Sequence, residues 1–503
     1  MSRTRVVKGT YTKVSEEDYN MYSQENIFTT AMKWLSELGH KSGVTYGTPL
    51  TSPSLQIPAK CIVHFRPKNG WQGEDCGFDW MRMGDTVYIT GGSAIFGDTK
   101  YETIVSKQYT DATFTTLETN PNAYKGKFQA NSGLYNGLKG VYGKHTVPWR
   151  TTNNSAGSTL AEEYFCSWLS LFPKNIKDSS GNDVASGFTN TFTPLSLIID
   201  IEEEPDVLRF EDNENFTITP KEISVTGKGK GKHAFADHIT IECLKEFSSD
   251  QTITINAVKK PVAPQTEETL TVAGKLKVWA NHKTRRKKAK IVLIEVVSDT
   301  SASGIQNTPN MVGQKDLFER YLKQALIETE VQTESMDVSV DPKFQTGGFY
   351  VIGGLIAAYY QPSSLAPSGF QTLQTYLYEK LKAQLKAVNP ADENKYDSYY
   401  KAFYLGEGGG YVDATGNVNA LNGYALGRNV VLFPSKNDQT AAHEFLHSFN
   451  LPHSFTNKEA DADALYTYEA KKTENLLDYS HQISQVRYSL WKWQWEKANN
   501  SIP

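Results

Sequence analysis

Three histidines and a glutamate occur within the stretch HEFLHSFNLPH, residues 443–453 of this 503-residue sequence. His443 and His447 are four residues apart, so on an α-helix they lie on one face, one turn apart. Glu444 lies about 100° further round the same helix, where it can contact a water molecule without binding the metal itself. His453 follows six residues later. This spacing predicts a metal site built on one helix and the chain just beyond it.

The residues between His447 and His453 predict a turn that brings the third histidine back to the other two. Asn450 is the non-glycine residue type that most readily adopts the left-handed conformation. Pro452 prevents the helix from continuing. Three neutral imidazoles leave one position open for water, which is the arrangement of catalytic rather than structural zinc. The predicted cofactor is therefore Zn²⁺.

Other ligands and other chemistries fit the sequence less well. A zinc site of this type can take a downstream carboxylate or a further histidine as its third ligand, but none of the candidates has a spacing as specific as that of His453. The sequence contains no GxSxG, no complete P-loop and no GxGxxG, which argues against serine hydrolases and nucleotide-binding enzymes. The competing ligands are Asp461, Asp463, Glu469, Glu474 and His481.

The stretch resembles the HExxHxxGxxH motif of the metzincin clan of zinc metallopeptidases, with Asn450 at the glycine position. Residues 475–479, NLLDY, resemble the clan's methionine-containing turn, with Leu477 where methionine stands. Tyr479 matches the tyrosine that in some metzincins moves between the zinc ion and the reaction's oxyanion. The resemblance implies an α+β metzincin-like zincin catalytic domain over residues 313–503.

The same resemblance implies a zinc-dependent endopeptidase. A zinc-bound water with a pKa of about 7 would attack the peptide carbonyl. Glu444 would act as general base and return the proton to the leaving amine, while Tyr479 would help to stabilise the oxyanion. The alternative is a non-catalytic binding or structural protein with a vestigial peptidase domain, marked by Asn450 and Leu477. The presence of Glu444 favours the enzyme, because a binding-only zinc site needs no general base.

Several elements must position the histidine motif within this domain. Helices are predicted at residues 314–327, 370–388 and 481–498, and strands at 335–340, 399–404 and 428–433. The last strand is the predicted substrate-binding edge strand, which would pair with an extended peptide through its backbone. Its residues are Asn429, Val430, Val431 and Leu432. The tryptophans of the final helix are predicted to pack in the core.

The first 300 residues predict a β-rich, multidomain arrangement. A β-rich N-terminal domain with a leading helix at 15–38 is expected over residues 1–190. An immunoglobulin-like β-sandwich is expected over 191–300, because short strands recur there, the last at 290–297. Residues 301–312, rich in small and turn-forming residues, are the predicted linker to the catalytic domain.

Composition narrows the partners and the cellular location. A net charge of −4 gives no general basis for binding nucleic acid or an anionic membrane. No stretch predicts a membrane span or a secretory signal peptide, so the cytoplasm and a signal-independent export route both remain open. Four scattered cysteines predict no disulfide framework. Cys76 is a minor candidate for an inhibitory zinc ligand.

Residues 73–85, GEDCGFDWMRMGD, resemble accessory segments of bacterial contractile injection system (type VI-like) proteins. This resemblance implies that the N-terminal domains dock to a secretion or injection apparatus. It also implies that the peptidase is an effector or toxin acting on a protein or peptide substrate.

Overall fold

The computed structural model describes residues 58–85, 87–88, 94–95, 99–106, 109–110, 127–153, 159–261, 266–456, 458–459 and 462–503. Over these residues the protein is multidomain and β-rich, with several sheets and few helices. The predicted leading helix at 15–38 lies outside the described residues.

Two sheets in the N-terminal part share one hydrophobic core. Their strands alternate inward and outward residues, and the inward ones, such as Val63, Leu197 and Ile255, are fully buried in a single cluster. The first sheet has the order Lys60–Pro67, Phe192–Glu203, Gly231–Cys243, Phe216–Thr219. The second has the order Glu222–Ser224, Val207–Phe210, Gln251–Lys259, Thr269–Val278, Ser167–Ser170, Gly77–Asp79.

In these sheets, strands that precede residue 191, the predicted domain boundary, pair with strands that follow it. Lys60–Pro67 pairs antiparallel with Phe192–Glu203, and Ser167–Ser170 pairs parallel with Thr269–Val278. Strands far apart in the sequence therefore complete the same two sheets. The local pattern of hydrophobic residues predicts strands but does not contain their long-range partners. Cys76 lies in the core of these sheets, 3.4 Å from the Thr193 hydroxyl, which does not support its role as a zinc ligand.

A five-stranded sheet carries the histidine motif. Its order is Ile327–Asp337, Lys287–Val297, Tyr400–Leu405, Asn429–Leu432, Gly423–Leu426. The first four strands are parallel, and the last is antiparallel to its neighbour. The helices of this part are Gln314–Leu322, Leu373–Val388, Thr440–Ser448 and Lys492–Asn500. Both faces of the sheet are buried, one of them against Thr440–Ser448.

Two sequence predictions about this sheet are wrong. The strand at 290–297 was expected in the sandwich, but Lys287–Val297 is an inner strand of the five-stranded sheet, paired on both sides. Its run of buried aliphatic residues is typical of a parallel strand covered on both faces. Residues 301–312 therefore connect this strand to the helix Gln314–Leu322 within one sheet-and-helix unit, instead of linking two domains.

A smaller four-stranded sheet lies beside the edge of the five-stranded sheet. Its order is Val351–Ile352, Leu355–Tyr360, Gly409–Val412, Val418–Ala420. Gly410 permits a close approach between strands, since a Cβ there would lie 1.9 Å from the carbonyl oxygen of Asn419.

The predicted C-terminal helix begins later than expected. A 3₁₀ turn covers Ser480–Ile483, and Ser484 then has a φ of 64°, which ends it. The α-helix follows at Lys492–Asn500. Trp491, Trp493 and Trp495 are buried, which confirms their packing role.

Further helices, 3₁₀ turns and paired strands complete the described residues. The helices are Tyr101–Ile104 and Ser132–Val141, and the 3₁₀ turns are Lys323–Ala325, Pro342–Phe344, Ser363–Leu365 and Pro390–Asp392. The paired strands are Val87–Tyr88 with Ala94–Ile95, Val105–Ser106 with Thr467–Tyr468, Tyr109–Thr110 with Lys127–Phe128, Lys144–Asn153 with Thr159–Phe165, Asn175–Lys177 with Asp183–Ala185, and Lys458–Glu459 with Ala462–Asp463.

No helix within the described residues is both long enough and apolar enough to cross a lipid bilayer.

Candidate metal centre

The helix Thr440–Ser448, called here the histidine helix, is held by its start and by its apolar face. The side-chain oxygen of Asn437, just before the helix, accepts hydrogen bonds from the Gln439 backbone and the Thr440 hydroxyl, which hold the chain that leads into the first turn. Phe445 and its apolar neighbours pack into the core under the five-stranded sheet. The histidines are thereby left on the opposite side of the helix.

The chain leaves the histidine helix through a Schellman turn centred on Asn450. Asn450 has a φ of 63°, in the left-handed region, as the sequence predicts. Its N–H donates to the His447 carbonyl at 2.9 Å, and the Leu451 N–H donates to the Leu446 carbonyl at 3.1 Å. The buried Leu451 then anchors the chain, and His453 returns towards the helix.

The three histidines meet at one point. The Nε2 atoms of His443, His447 and His453 form a triangle with all three sides 3.2 Å long. Tetrahedral ligands about 2.0–2.1 Å from a zinc ion lie about 3.3–3.4 Å from one another. The triangle therefore has the size of three ligands of a tetrahedral metal ion, and these three histidines form the potential metal-binding group within the described residues.

Hydrogen bonds fix the tautomer of two of these histidines. Nδ1 of His443 lies 2.7 Å from the Leu476 carbonyl oxygen, and Nδ1 of His447 lies 2.8 Å from that of Leu451. A carbonyl oxygen can only accept, so each Nδ1 carries the proton and each Nε2 lone pair faces the centre of the triangle. The turn that ends the helix thus also orients His447.

The electrostatic environment keeps His443 neutral. Burial lowers the pKa of His443 well below its ordinary value of 6.5, and the nearby His447, Arg487 and His453 lower it further. A metal ligand must be an unprotonated imidazole, so the protein's own surroundings favour the binding form.

The segment 475–479, called here the floor segment, lies beneath the histidines. Leu477 is fully buried, and its carbonyl accepts from the Ser454 N–H at 3.1 Å, next to His453. The carbonyl of Leu476 holds His443, as described above. The floor segment therefore supports two of the three histidines through its backbone, which does not depend on a methionine at position 477.

Asp478 fixes the shape of the floor segment from inside. Its buried carboxylate accepts hydrogen bonds from the backbone of Lys471, Thr473 and Tyr479 and from the Thr473 hydroxyl, at 2.6–2.9 Å. Burial raises the pKa of Asp478, while these donors favour its charged form.

Tyr479 lies beside the histidine triangle. Its ring centroid is 4.9 Å from that of His453 and 6.1 Å from that of His443. Its other neighbours are Phe455 and His481, at 4.8 and 5.9 Å. His481 does not join the metal-binding group, and burial lowers its pKa to about 4.

The acidic residues considered as alternative ligands are not part of the group either. Glu474 forms an ion pair with Arg82 instead, and Glu469 does not belong to the cluster. Asp461 and the side chain of Asp463 lie outside the described residues.

The prediction that Asn429–Leu432 is the substrate-binding edge strand is wrong. Asn429–Leu432 is paired on both sides, with Tyr400–Leu405 and with Gly423–Leu426, so its backbone cannot accept another strand. Asn429, Val430, Val431 and Leu432 thus form an inner strand, and the last three are buried. The edge strand on this side of the sheet is Gly423–Leu426, which packs against the histidine helix.

Glu444 lies next to this edge strand. A Cβ built on Gly423 would be 3.4 Å from Cγ of Glu444. Glu444 is partly exposed, whereas His443 beside it is buried. The Glu444 side chain thus lies against the edge strand Gly423–Leu426.

Sequence inspection missed Arg487, a buried arginine behind the site. It is 2% exposed, and its guanidinium donates to the Asp478 carbonyl at 2.9 Å and to the Asn437 side chain at 3.3 Å. Its Nη1 also lies 3.1 Å from Nδ1 of His443, a contact that is not a hydrogen bond because both nitrogens carry hydrogens. Arg487 therefore links the start of the histidine helix to the floor segment. It lies outside the motif, and its type alone gives no signal of this role.

Comparisons with known proteins give no family for this chain. No model of a protein family matches the sequence, and no curated protein matches it. Among solved structures, a Bacteroides ovatus GH5 xyloglucanase in complex with a XXXG heptasaccharide is similar over 42% of this chain and 42% of its own chain. The sequence identity is 11% and the TM-score is 0.11, which does not establish a shared fold.

Proposed function

We propose that this protein is a zinc-dependent endopeptidase whose catalytic part, residues 287–503, is a metzincin-like zincin domain. The observation that carries the proposal is the triangle of His443, His447 and His453, with Nε2 atoms 3.2 Å apart and the glutamate of the motif adjacent. The parallel sheet with its antiparallel edge strand next to the histidine helix supports the same assignment.

The three histidines would hold the zinc ion through Nε2. A zinc ion held there would lower the pKa of a bound water molecule to about 7 and would polarise the substrate carbonyl. The hydrogen bonds from His443 and His447 to backbone carbonyls orient both rings, so little reorganisation is needed on binding.

Glu444 and Tyr479 would carry out the proton transfer and oxyanion stabilisation. Glu444 would accept the proton of the attacking water and deliver it to the leaving amine. The Tyr479 phenol would donate to the developing oxyanion, given its ring position beside His453. The edge strand Gly423–Leu426 would align an extended peptide through backbone hydrogen bonds.

The N-terminal sheets suit an immunoglobulin-like sandwich that places this peptidase at its target. In this proposal the protein is an effector docked to a secretion or injection apparatus. The second candidate, a binding protein with a vestigial peptidase, draws on Asn450 and Leu477. Both departures are accommodated, since Asn450 adopts the required φ and Leu477 fills the floor, so the active enzyme is favoured.

Casein hydrolysis by the wild type and by Glu444→Gln tests the proposal. Loss of the general base should lower turnover by about 100-fold or more while zinc content stays at one ion per chain. Glu214→Gln, in the N-terminal part and with a side chain that is 81% exposed, is the control and should retain wild-type activity. Equal hydrolysis by all three proteins would reject the peptidase assignment.

A further inference from the structure

A buried arginine joins the N-terminal part of the chain to the floor of the metal site. Arg82 is 1% exposed, and one arm of its guanidinium donates to Asp79 at 2.8 Å. The other arm forms an ion pair with Glu474. The guanidinium also lies 3.4 Å from the centroid of the Trp80 ring. Arg82 therefore bridges the carboxylates of Asp79 and Glu474, which are 395 positions apart in the sequence.

Glu474 directly precedes the floor segment. Its carbonyl oxygen accepts from the N–H groups of Tyr488 and Ser489, at 2.9 and 3.2 Å. The Leu476 N–H in turn donates to the Ser489 carbonyl at 2.9 Å, and the Leu476 carbonyl holds His443. Glu474 is two residues before Leu476, whose carbonyl orients His443. The position of Glu474 therefore helps to place this carbonyl.

A second contact from the same N-terminal part reaches the chain after His453. The strand Val105–Ser106 pairs antiparallel with Thr467–Tyr468. The Tyr468 N–H donates to the carbonyl of Ser454, the residue after His453, at 2.8 Å. Two of the three histidines are therefore connected to residues 79–106, each through two hydrogen bonds and the backbone between them.

The N-terminal part and the proposed catalytic part also pack in direct contact. A Cβ on Gly77 would lie 2.4 Å from the backbone oxygen of Gln324, so only glycine fits there. The side chain of Gln324 accepts from the Leu490 N–H at 2.9 Å and donates to the Tyr488 carbonyl at 2.7 Å. These contacts are buried and mutually satisfied, as in the interior of one folded unit.

We propose that Arg82, through its ion pair with Glu474, is a positioning residue of the metal centre, so that the N-terminal β-rich part is a structural component of the peptidase. This inference rests on the proposed function, because it concerns the zinc affinity of the proposed site. Loss of the ion pair releases the start of the floor segment and loosens the carbonyl that orients His443. Removing a group that hydrogen-bonds a metal-binding histidine typically costs about 10- to 100-fold in metal affinity, and Arg82 acts on such a group, the Leu476 carbonyl, through Glu474.

A double-mutant cycle on the full-length chain tests the inference, with zinc dissociation constants measured by chelator competition. Arg82→Gln and Glu474→Gln should each weaken zinc binding by about tenfold, and the double variant should be no weaker than either single variant. Arg209→Gln is the matched control, since Arg209 forms ion pairs with Glu222 and Glu268 on the surface of the N-terminal part. It should bind zinc like the wild type.

The outcomes separate the inference from the proposed function. If the wild type binds no zinc, the proposed function fails. If the wild type binds zinc and both variants at positions 82 and 474 bind it equally well, the positioning role is overturned. Should Arg82→Gln not fold because two carboxylates lose their partner, Glu474→Gln alone decides the matter, since it leaves Arg82 paired with Asp79. The visible spectrum of cobalt-substituted protein gives a second readout, and an altered ligand geometry in Glu474→Gln is expected.

Discussion

Replacing Asn450 with valine tests whether the left-handed turn is what returns His453 to the other two histidines. Asn450 has a φ of 63°. For an ordinary L-residue this conformation costs about 1–2 kcal/mol, because Cβ crowds the next carbonyl oxygen. Asparagine tolerates it better than most residues, whereas a β-branched valine bears the full cost.

The strain must appear either in folding or in zinc binding. If the turn keeps its shape without metal, the free energy of unfolding of the apo protein falls by about 1–2 kcal/mol. If the turn relaxes, His453 leaves the triangle and zinc affinity falls by about 5- to 30-fold, since 1.4 kcal/mol corresponds to a factor of ten. The two losses together should amount to about 1–2 kcal/mol, and Asn450→Gly should show neither.

Zinc competition with a chelating dye and urea denaturation of the apo protein measure the two losses. Asn394→Val is the control, because Asn394 is exposed and does not have a positive φ. It should match the wild type in both assays. An Asn450→Val variant with wild-type zinc affinity and wild-type stability would refute the role given to the turn.

Three further variants test other parts of the account. Arg487→Met should weaken zinc binding by about tenfold, because it frees the floor segment from the histidine helix, and a chelator titration checks this. Tyr479→Phe should lower kcat on a peptide substrate by about tenfold or more with zinc affinity unchanged, and a loss of zinc would instead make Tyr479 a ligand. Burial lowers the pKa of His64 from 6.5 to about 4. The stability due to neutral His64 is therefore present above about pH 6.5 and lost as pH falls towards 4, so the denaturation midpoint of His64→Phe should fall less than that of the wild type over this range.

The local elements of the site could be predicted from the sequence because their signals are local. The spacing of His443 and His447 specifies one helix face, and the type of residue at position 450 specifies the turn. Both depend on contacts within a few residues. The burial of Trp491 and its neighbours follows equally from their apolar character.

The arrangement of the strands could not be predicted in this way. The aliphatic run in Lys287–Val297 predicts a buried strand, but only its pairing with two parallel neighbours shows to which sheet the strand belongs. The position of the edge strand is missed for the same reason, since Gly423–Leu426 is only four residues long and begins with a glycine. The positions of Arg82 and Arg487 depend on residues that come together only in the folded chain.

Titration of the peptidase activity with zinc tests whether the three histidines form a catalytic zinc site. The chain is first stripped of metal with a chelator, and casein hydrolysis is then followed as zinc is added back. A zinc-dependent peptidase with one metal site should show no activity at the start, a linear rise, and a plateau at one zinc ion per chain. Hydrolysis that survives chelation, or that fails to return at one equivalent, would contradict this assignment.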